Sequence, residues 1–256
     1  MKEIPILFST EMVRAILEGR KSQTRRVIKR IPCQCGEWMP EELPNVTDPE
    51  GWLAVDHSVR WWCETCTSEQ DVVHCPYGKP GDVLWVRERF ARVHGRALSI
   101  GVLEGAIEAG ASTLPDATEP QHVFVYRSDF ERLGIKNPLI WKPSIHMPRS
   151  ACRLFLRVKD VRVERLKDIS EADAIAEGVR RRGRNSSGQT LYENYLRPSF
   201  PPFPTSAITS FSMLWNNIHA PRNGWHANPW VWVVVFERIE NYPGLEAYRK
   251  EVALCS

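Results

Sequence analysis

Near its far end the chain carries "NPWVWVVVFERI", in which Trp230 to Phe236 are seven consecutive apolar residues. An unbroken β-branched and aromatic run offers no polar face to water, so it reads as a strand covered on both sides. "VLWVRE" (Val83 to Glu88), "HVFVYR" (His122 to Arg127) and "RLFLRVKDVRVERL" (Arg153 to Leu166) add further strands by their β-branched and aromatic alternation. The last is long enough to bend or split near Lys159 and Asp160.

Three short helices are predicted between them. In the first, Val13, Ile16 and Leu17 fall at i, i+3 and i+4, with Ser9 or Thr10 as N-cap and Gly19 as the stop. "DISEADAIAEGV" gives the second, capped by Ser170 with Asp173 at the capping-box position and Gly178 at its end. "SFSMLWNNIH" gives the third. The expected fold is mixed α+β: a small, mainly-β barrel decorated by short helices and interrupted by two loop insertions. One domain is expected over residues 1–240, followed by a tail at 241–256. Residues 33–75, rich in Pro, Gly and acids and without periodicity, form the first insertion; the polar and Pro-rich residues 180–208 form the second, read as a mobile excursion.

Apolar residues make up 43% and charged residues 25% of the 256, the balance of a soluble globular protein. No apolar stretch reaches the roughly 20 residues a membrane helix needs, and the start lacks the features of a signal peptide, so a cytoplasmic protein without a membrane partner is expected. The net charge of +3 is too small to argue for a polyanion partner, but its distribution is uneven. Arg14, Arg20, Lys21, Arg25, Arg26, Lys29 and Arg30 stand against a single Glu18, a local field that would attract phosphates.

Seven cysteines in a reducing compartment argue against a disulfide framework. "CQC" (Cys33, Cys35) and "CETC" (Cys63, Cys66) supply two close thiol pairs inside an insertion with little core of its own, a pattern suited to one structural four-thiolate zinc. Free thiols in a loop are the alternative. No organic cofactor is expected. Cys152 reads as a core residue and Cys255 as part of the tail.

Four fixed positions, Gly19, Lys21, Thr24 and Arg26, satisfy G-x-K-x-x-T-x-R. "KPGDVLWVRE", the acid-bearing helix "ISEADAIAEG" and the closing "WVWVVVFERI" follow in that order. Together these resemble the ASCH domain, a relative of the PUA fold, and above all the long ASCH-containing proteins of phages and prophages. The resemblance covers most of the chain outside the two insertions. It implies a PUA-like barrel and kinship to nucleic-acid binders. Some small bacterial members are amidohydrolases that remove the acyl group from N4-acetylcytidine, and others have been associated with RNA cleavage. Carried over by motif position, the amidohydrolase working set is Lys21, Thr24 and Glu177.

A threonine hydroxyl becomes a nucleophile only when a base takes its proton, and a lysine acts as base only when uncharged. Arg20, Arg25 and Arg26 beside Lys21, with partial burial, would push its pKa down. Lys21 is then the base and Thr24 the nucleophile, with Glu177 orienting the lysine or protonating the departing amine. An alternative has Glu177 activate a water, with Thr24 as a hydrogen-bond donor. Arg20, Arg25 and Arg26 are also candidate phosphate contacts. Glu88 is a second acid that either faces the cleft or pairs with an arginine such as Arg26. Trp230 and Trp232 share one strand face and are candidates to line a pocket that holds a base.

The leading expectation is therefore an amidohydrolase acting on an N4-acylated cytidine or similar modified pyrimidine, as a nucleoside or within RNA or single-stranded DNA. A noncatalytic nucleic-acid or modified-base reader is the alternative. A structural phage component is a third class that needs no chemistry.

Overall fold

In a computed structural model of the chain, residues 1–29, 53–54, 58–59, 62–63, 68–69, 73–99, 101–116, 118–135, 139–198, 200–240 and 242 are described. In chain order the main elements are β1 (Glu3–Leu7), α1 (Thr10–Leu17), β2 (Gln23–Val27), β3 (Val83–Arg87), β4 (Phe90–His94), α2 (Gly101–Glu108), β5 (Thr113–Pro115), β6 (His122–Tyr126) and α3 (Arg127–Arg132). These are followed by β7 (Phe155–Arg165), α4 (Glu171–Ala176), β8 (Arg181–Arg184), β9 (Thr190–Tyr192), α5 (Ala207–His219) and β10 (Trp230–Ile239). Within residues 53–74, two-residue strands pair antiparallel, Leu53–Ala54 with Ser58–Val59, the latter with Val73–His74, and Trp62–Cys63 with Ser68–Glu69. The result is a mixed α+β fold, mostly sheet with a few short helices.

Contacts divide the chain into two compact units, one of Met1–Gly19, Asp82–Arg157 and Glu237–Ser256, the other of Arg20–Gly81 and Val158–Phe236. In the first, β1 runs parallel to β3, with Ile4 opposite Leu84, and β3 pairs antiparallel with the start of β7, with Phe155 opposite Trp85. A second antiparallel sheet has the order β5-β6-β4. Val83, Phe90, Phe124, Tyr126 and Phe155 form one buried cluster, and Ala91, Leu103, Val125 and Phe130 another.

In the second unit the order is β7-β10-β2, with Val234 opposite Thr24. Val231 and Val233 point to a core shared with Leu166, Ile169, Ala174, Tyr192, Phe211 and Trp215, so α4, α5 and the β8–β9 hairpin cover this face of β10. Trp232 alternates to the other face and is buried there. Both sides of the apolar run are thus covered. Each buried aliphatic or aromatic side chain contributes about 1.5–3 kcal/mol by leaving water.

The helix ends follow local chemistry. Met12 N bonds Ser9 Oγ at 3.3 Å at the start of α1, and Asp173 N bonds Ser170 Oγ at 3.0 Å at the start of α4. Gly19 (φ +71°) and Gly178 (φ +94°) take the left-handed conformation just past the two helices, where a Cβ would be strained.

Three expectations need correction. Among the described residues the second unit's sheet ends at β2, with no pairing that closes a barrel. The end of α4 takes the place of a closing strand, because Lys21 and Glu177 form an isolated backbone bridge and Ser22 N bonds Ala176 O at 2.9 Å. β7 is one unbroken strand through Lys159 and Asp160. Finally, residues 181–192 are an ordered hairpin: Asn185 Oδ1 accepts from Ser187 N at 3.0 Å and Gln189 N at 2.8 Å and so builds its turn.

Candidate active site

The site lies in the second unit, where the stretch entering β2 passes the C-terminal end of α4. The backbone bridge between Lys21 and Glu177 sets these residues side by side. Phe236 N bonds Ser22 O at 2.8 Å and ties the same stretch to β10. Lys21 and Glu177 are only 3% and 5% exposed. Within this enclosure Lys21 Nζ donates to Glu177 Oε2 at 2.7 Å and to the Glu177 carbonyl oxygen at 2.9 Å.

Burial lowers the Lys21 pKa below its ordinary value, because a dry site disfavours the ammonium. Glu177 opposes this by attraction and hydrogen bonding, while Arg26 and Arg25 reinforce it by repulsion. The direction matches the expectation from the basic run, but desolvation rather than neighbouring charge is the main cause.

Arg25 alternates to the same face of β2 as Gln23. Its side chain is fully buried, with Nη2 2.9 Å from Glu164 Oε2 and 3.4 Å from Asp173 Oδ2, and Nη1 3.5 Å from Glu177 Oε1. Gln23 Nε2 donates to Asp173 O at 2.9 Å. Arg162 binds the Glu164 carboxylate and reaches Asp173 Oδ1 at 3.2 Å. Burial would raise the Asp173 carboxyl, but Arg25 and Arg162 beside it hold the pKa below the usual value. This ring of carboxylates fixes Arg25 in place and withholds it from any external phosphate. Arg20 likewise spends a guanidinium N–H on the Gly178 carbonyl, Nη1 to O 2.6 Å, closing the end of α4.

Thr24 is buried on the opposite face of β2 from Arg25, opposite Val234 of β10. Among the described residues its hydroxyl bonds neither Lys21 Nζ nor the Glu177 carboxylate. Arg26 alternates to the Thr24 face, with its guanidinium carbon 5.8 Å from the centre of the Tyr77 ring. Burial lowers its pKa, and Tyr77 and Glu177 pull the other way.

His219, in the last turn of α5, was not singled out in the sequence. Its ring stacks on Trp215 one helical turn earlier, centroids 4.0 Å apart. Burial lowers its pKa, with a smaller push from Arg26 and an opposing pull from Glu177. The i, i+4 Trp-His spacing was its one local signal. Glu164, Arg162 and Tyr77 also join the site from segments whose own patterns reveal nothing.

The remaining candidates lie apart from this cluster. Glu88 is fully buried in the first unit, 2.9 Å from Arg153 Nε and accepting from Ser128 Oγ at 2.5 Å. Arg153 Nη1 also meets Asp129 Oδ2 at 2.6 Å, so the expected arginine partner exists but is Arg153, not Arg26. Trp232 is buried, and Trp230 is half-buried with Arg165 4.5 Å above its ring. Cys33, Cys35 and Cys66 of the proposed zinc set, and Arg30 of the basic run, lie outside the described residues, and Cys63 is described only as part of its short strand. Among the described residues no group of three or more His, Cys, Asp and Glu side chains is placed to hold a metal. Cys152 is a core thiol, and burial pushes its pKa up to about 12. No helix among the described residues is long and apolar enough to cross a membrane.

Comparison with models of protein families, with curated proteins and with solved structures yields no match to this chain.

Proposed function

We propose that the chain is an ASCH-type amidohydrolase on a PUA-like framework, cleaving the exocyclic amide of an N4-acylated cytidine or similar modified pyrimidine. The observation that carries this reading is the buried contact at 2.7 Å between Lys21 Nζ and Glu177 Oε2, two motif positions 156 residues apart in sequence. A solvated basic run has no need to bring its lysine under cover and against that particular acid.

With Lys21 bonded to Glu177 rather than to Thr24, the water route suits the geometry better than a threonine nucleophile. Glu177 takes a proton from a water whose oxygen bonds the acyl carbon. Lys21, charged in this state, stabilises the oxyanion. As the C–N4 bond breaks, N4 takes up the proton held by Glu177 and leaves as the amine, and the acyl group departs as a carboxylic acid. Thr24 lines the substrate side as a hydrogen-bond donor. His219 and Arg26 add positive or neutral donors next to the same carboxylate. A structural zinc on Cys33, Cys35, Cys63 and Cys66 belongs to the same proposal, with no open position for substrate.

The test is incubation with N4-acetylcytidine and chromatographic detection of cytidine and acetate, alongside Lys21→Met, Glu177→Gln and Thr24→Val. Turnover that falls at least 100-fold in the first two and less in the third supports the assignment. No turnover in the unaltered protein, or turnover indifferent to Lys21 and Glu177, overturns it.

A further inference from the structure

The β8–β9 hairpin begins directly beyond Gly178, and its arginines have no part in the chemistry above. Arg180, Arg181 and Arg184 are exposed. Arg182, between them, is turned inward: its Nε lies 2.6 Å from Glu193 Oε2, which accounts for the hairpin's own buried carboxylate. Among the described residues no carboxylate is paired with Arg180, Arg181 or Arg184. A bulge lies between Arg181 and Gly183, with Arg181 opposite Tyr192 and Arg184 opposite Thr190.

The next turn adds to the same surface. Arg180 N donates to Tyr195 Oη at 3.1 Å and Glu193 N to Arg180 O at 2.8 Å, fastening the segment after β9 to the root of the hairpin. Asn194 Nδ2 holds Pro202 O at 3.0 Å and Phe200 N bonds Arg197 O at 3.1 Å, which closes the turn. Arg197 is exposed, as are Leu196 (60%) and Phe200 (68%). Four exposed arginines, none paired with a carboxylate among the described residues, and an aromatic ring held open to solvent thus occupy two bonded turns.

We infer that this hairpin and turn form a grip for single-stranded nucleic acid, with Arg180, Arg181, Arg184 and Arg197 on the phosphates and Phe200 stacked on an unpaired base. Guanidinium forks match phosphate oxygens, and an exposed aromatic ring serves any base face; the two together are the recognition chemistry of a single strand. A duplex would hide the bases from Phe200, and a bare polyanion would not use it. The inference deepens the proposed function, on which it rests for its substrate. The arm follows Glu177 by only a few residues, so the preferred acylated pyrimidine is one within a strand rather than a free nucleoside.

The experiment measures fluorescence anisotropy of labelled 12-nucleotide single-stranded RNA and DNA across a salt series, with the whole chain, an Arg181→Ser/Arg184→Ser variant and Phe200→Ser, each checked by its melting temperature. All three positions are exposed, so the folded state is expected to persist. The unaltered chain should bind with a steep salt dependence, and the double variant should lose about 1.4 from the slope of log affinity against log salt, about 0.7 for each phosphate contact. Phe200→Ser should weaken binding about tenfold with an unchanged slope. The RNA and DNA arms identify which backbone is preferred, and either preference supports the grip. Absence of binding, an unchanged slope in the double variant, or equal competition by polyphosphate together with indifference to Phe200→Ser overturns it. Binding needs no turnover, so loss of hydrolysis with intact gripping sinks only the enzymatic reading, and hydrolysis of free nucleoside without gripping sinks only this one.

Discussion

Glu177 holds Lys21 twice, through its carboxylate at 2.7 Å and through its own carbonyl oxygen at 2.9 Å. The two acceptors, one on the side chain and one on the backbone of the same residue, fix both the position and the direction of the ammonium.

Breaking this pair from one side should be costly. Lys21→Met leaves a buried carboxylate without its main partner, and a loss of about 3–5 kcal/mol in urea unfolding is expected. The double variant Lys21→Met/Glu177→Leu should recover much of that loss, because it removes both charges. A double variant no more stable than the single one would show that the pair is not an isolated electrostatic unit.

His219 predicts a pH window. Its pKa in the folded chain lies below 6.5, so between that folded value and 6.5 the unfolded chain binds more protons, and stability rises with pH. Acidification from pH 7.5 should therefore lower the melting temperature as the pH passes below about 6.5, the ordinary histidine value. His219→Gln should flatten that part of the curve. An identical slope in the variant would place the titration elsewhere.

In the first unit, Arg153 bridges two buried acids: it meets Glu88 at 2.9 Å and Asp129 at 2.6 Å, and its guanidinium carbon lies 3.8 Å above the Tyr126 ring. Arg153→Met should cost about 3–5 kcal/mol at pH 7. Arg153→Lys should rescue poorly, since an ammonium cannot serve the forked geometry. Full rescue by lysine would contradict this account.

The α4 caps give a smaller effect with a functional readout. Ser170→Ala removes the acceptor for Asp173 N and should cost about 1 kcal/mol. Gly178→Ala, at φ +94°, should cost roughly 1–2 kcal/mol. Gly178 adjoins Glu177 and receives Arg20, so this change should depress the proposed deacylation more than Ser170→Ala does. Equal effects would mean that only helix stability matters.

Local chemistry made the frame legible. Ser9, Ser170, Gly19 and Gly178 mark helix ends within a few residues of themselves, and the apolar run of β10 announces two covered faces. Lys21 and Glu177 could be linked only through the resemblance, because no local pattern joins residues 156 apart. The basic run makes Arg25 a candidate phosphate contact, because its actual partners, Glu164 and Asp173, lie 139 and 148 residues away. The β8–β9 hairpin escaped because "RRRGRNSSGQ" has no alternation of apolar residues. Its order comes from the Asn185 side chain and from backbone bonds to the following turn.

The interleaving of the two units has a consequence for synthesis on the ribosome. The first unit's core includes Tyr242, stacked on Phe155 with centroids 4.3 Å apart, and the second unit's includes Val231 and Val233. Neither core is whole until β10, and for the first unit Tyr242 beyond it, has emerged. Folding during translation cannot proceed module by module, and a nascent chain halted before β10 should remain sensitive to protease along its whole length.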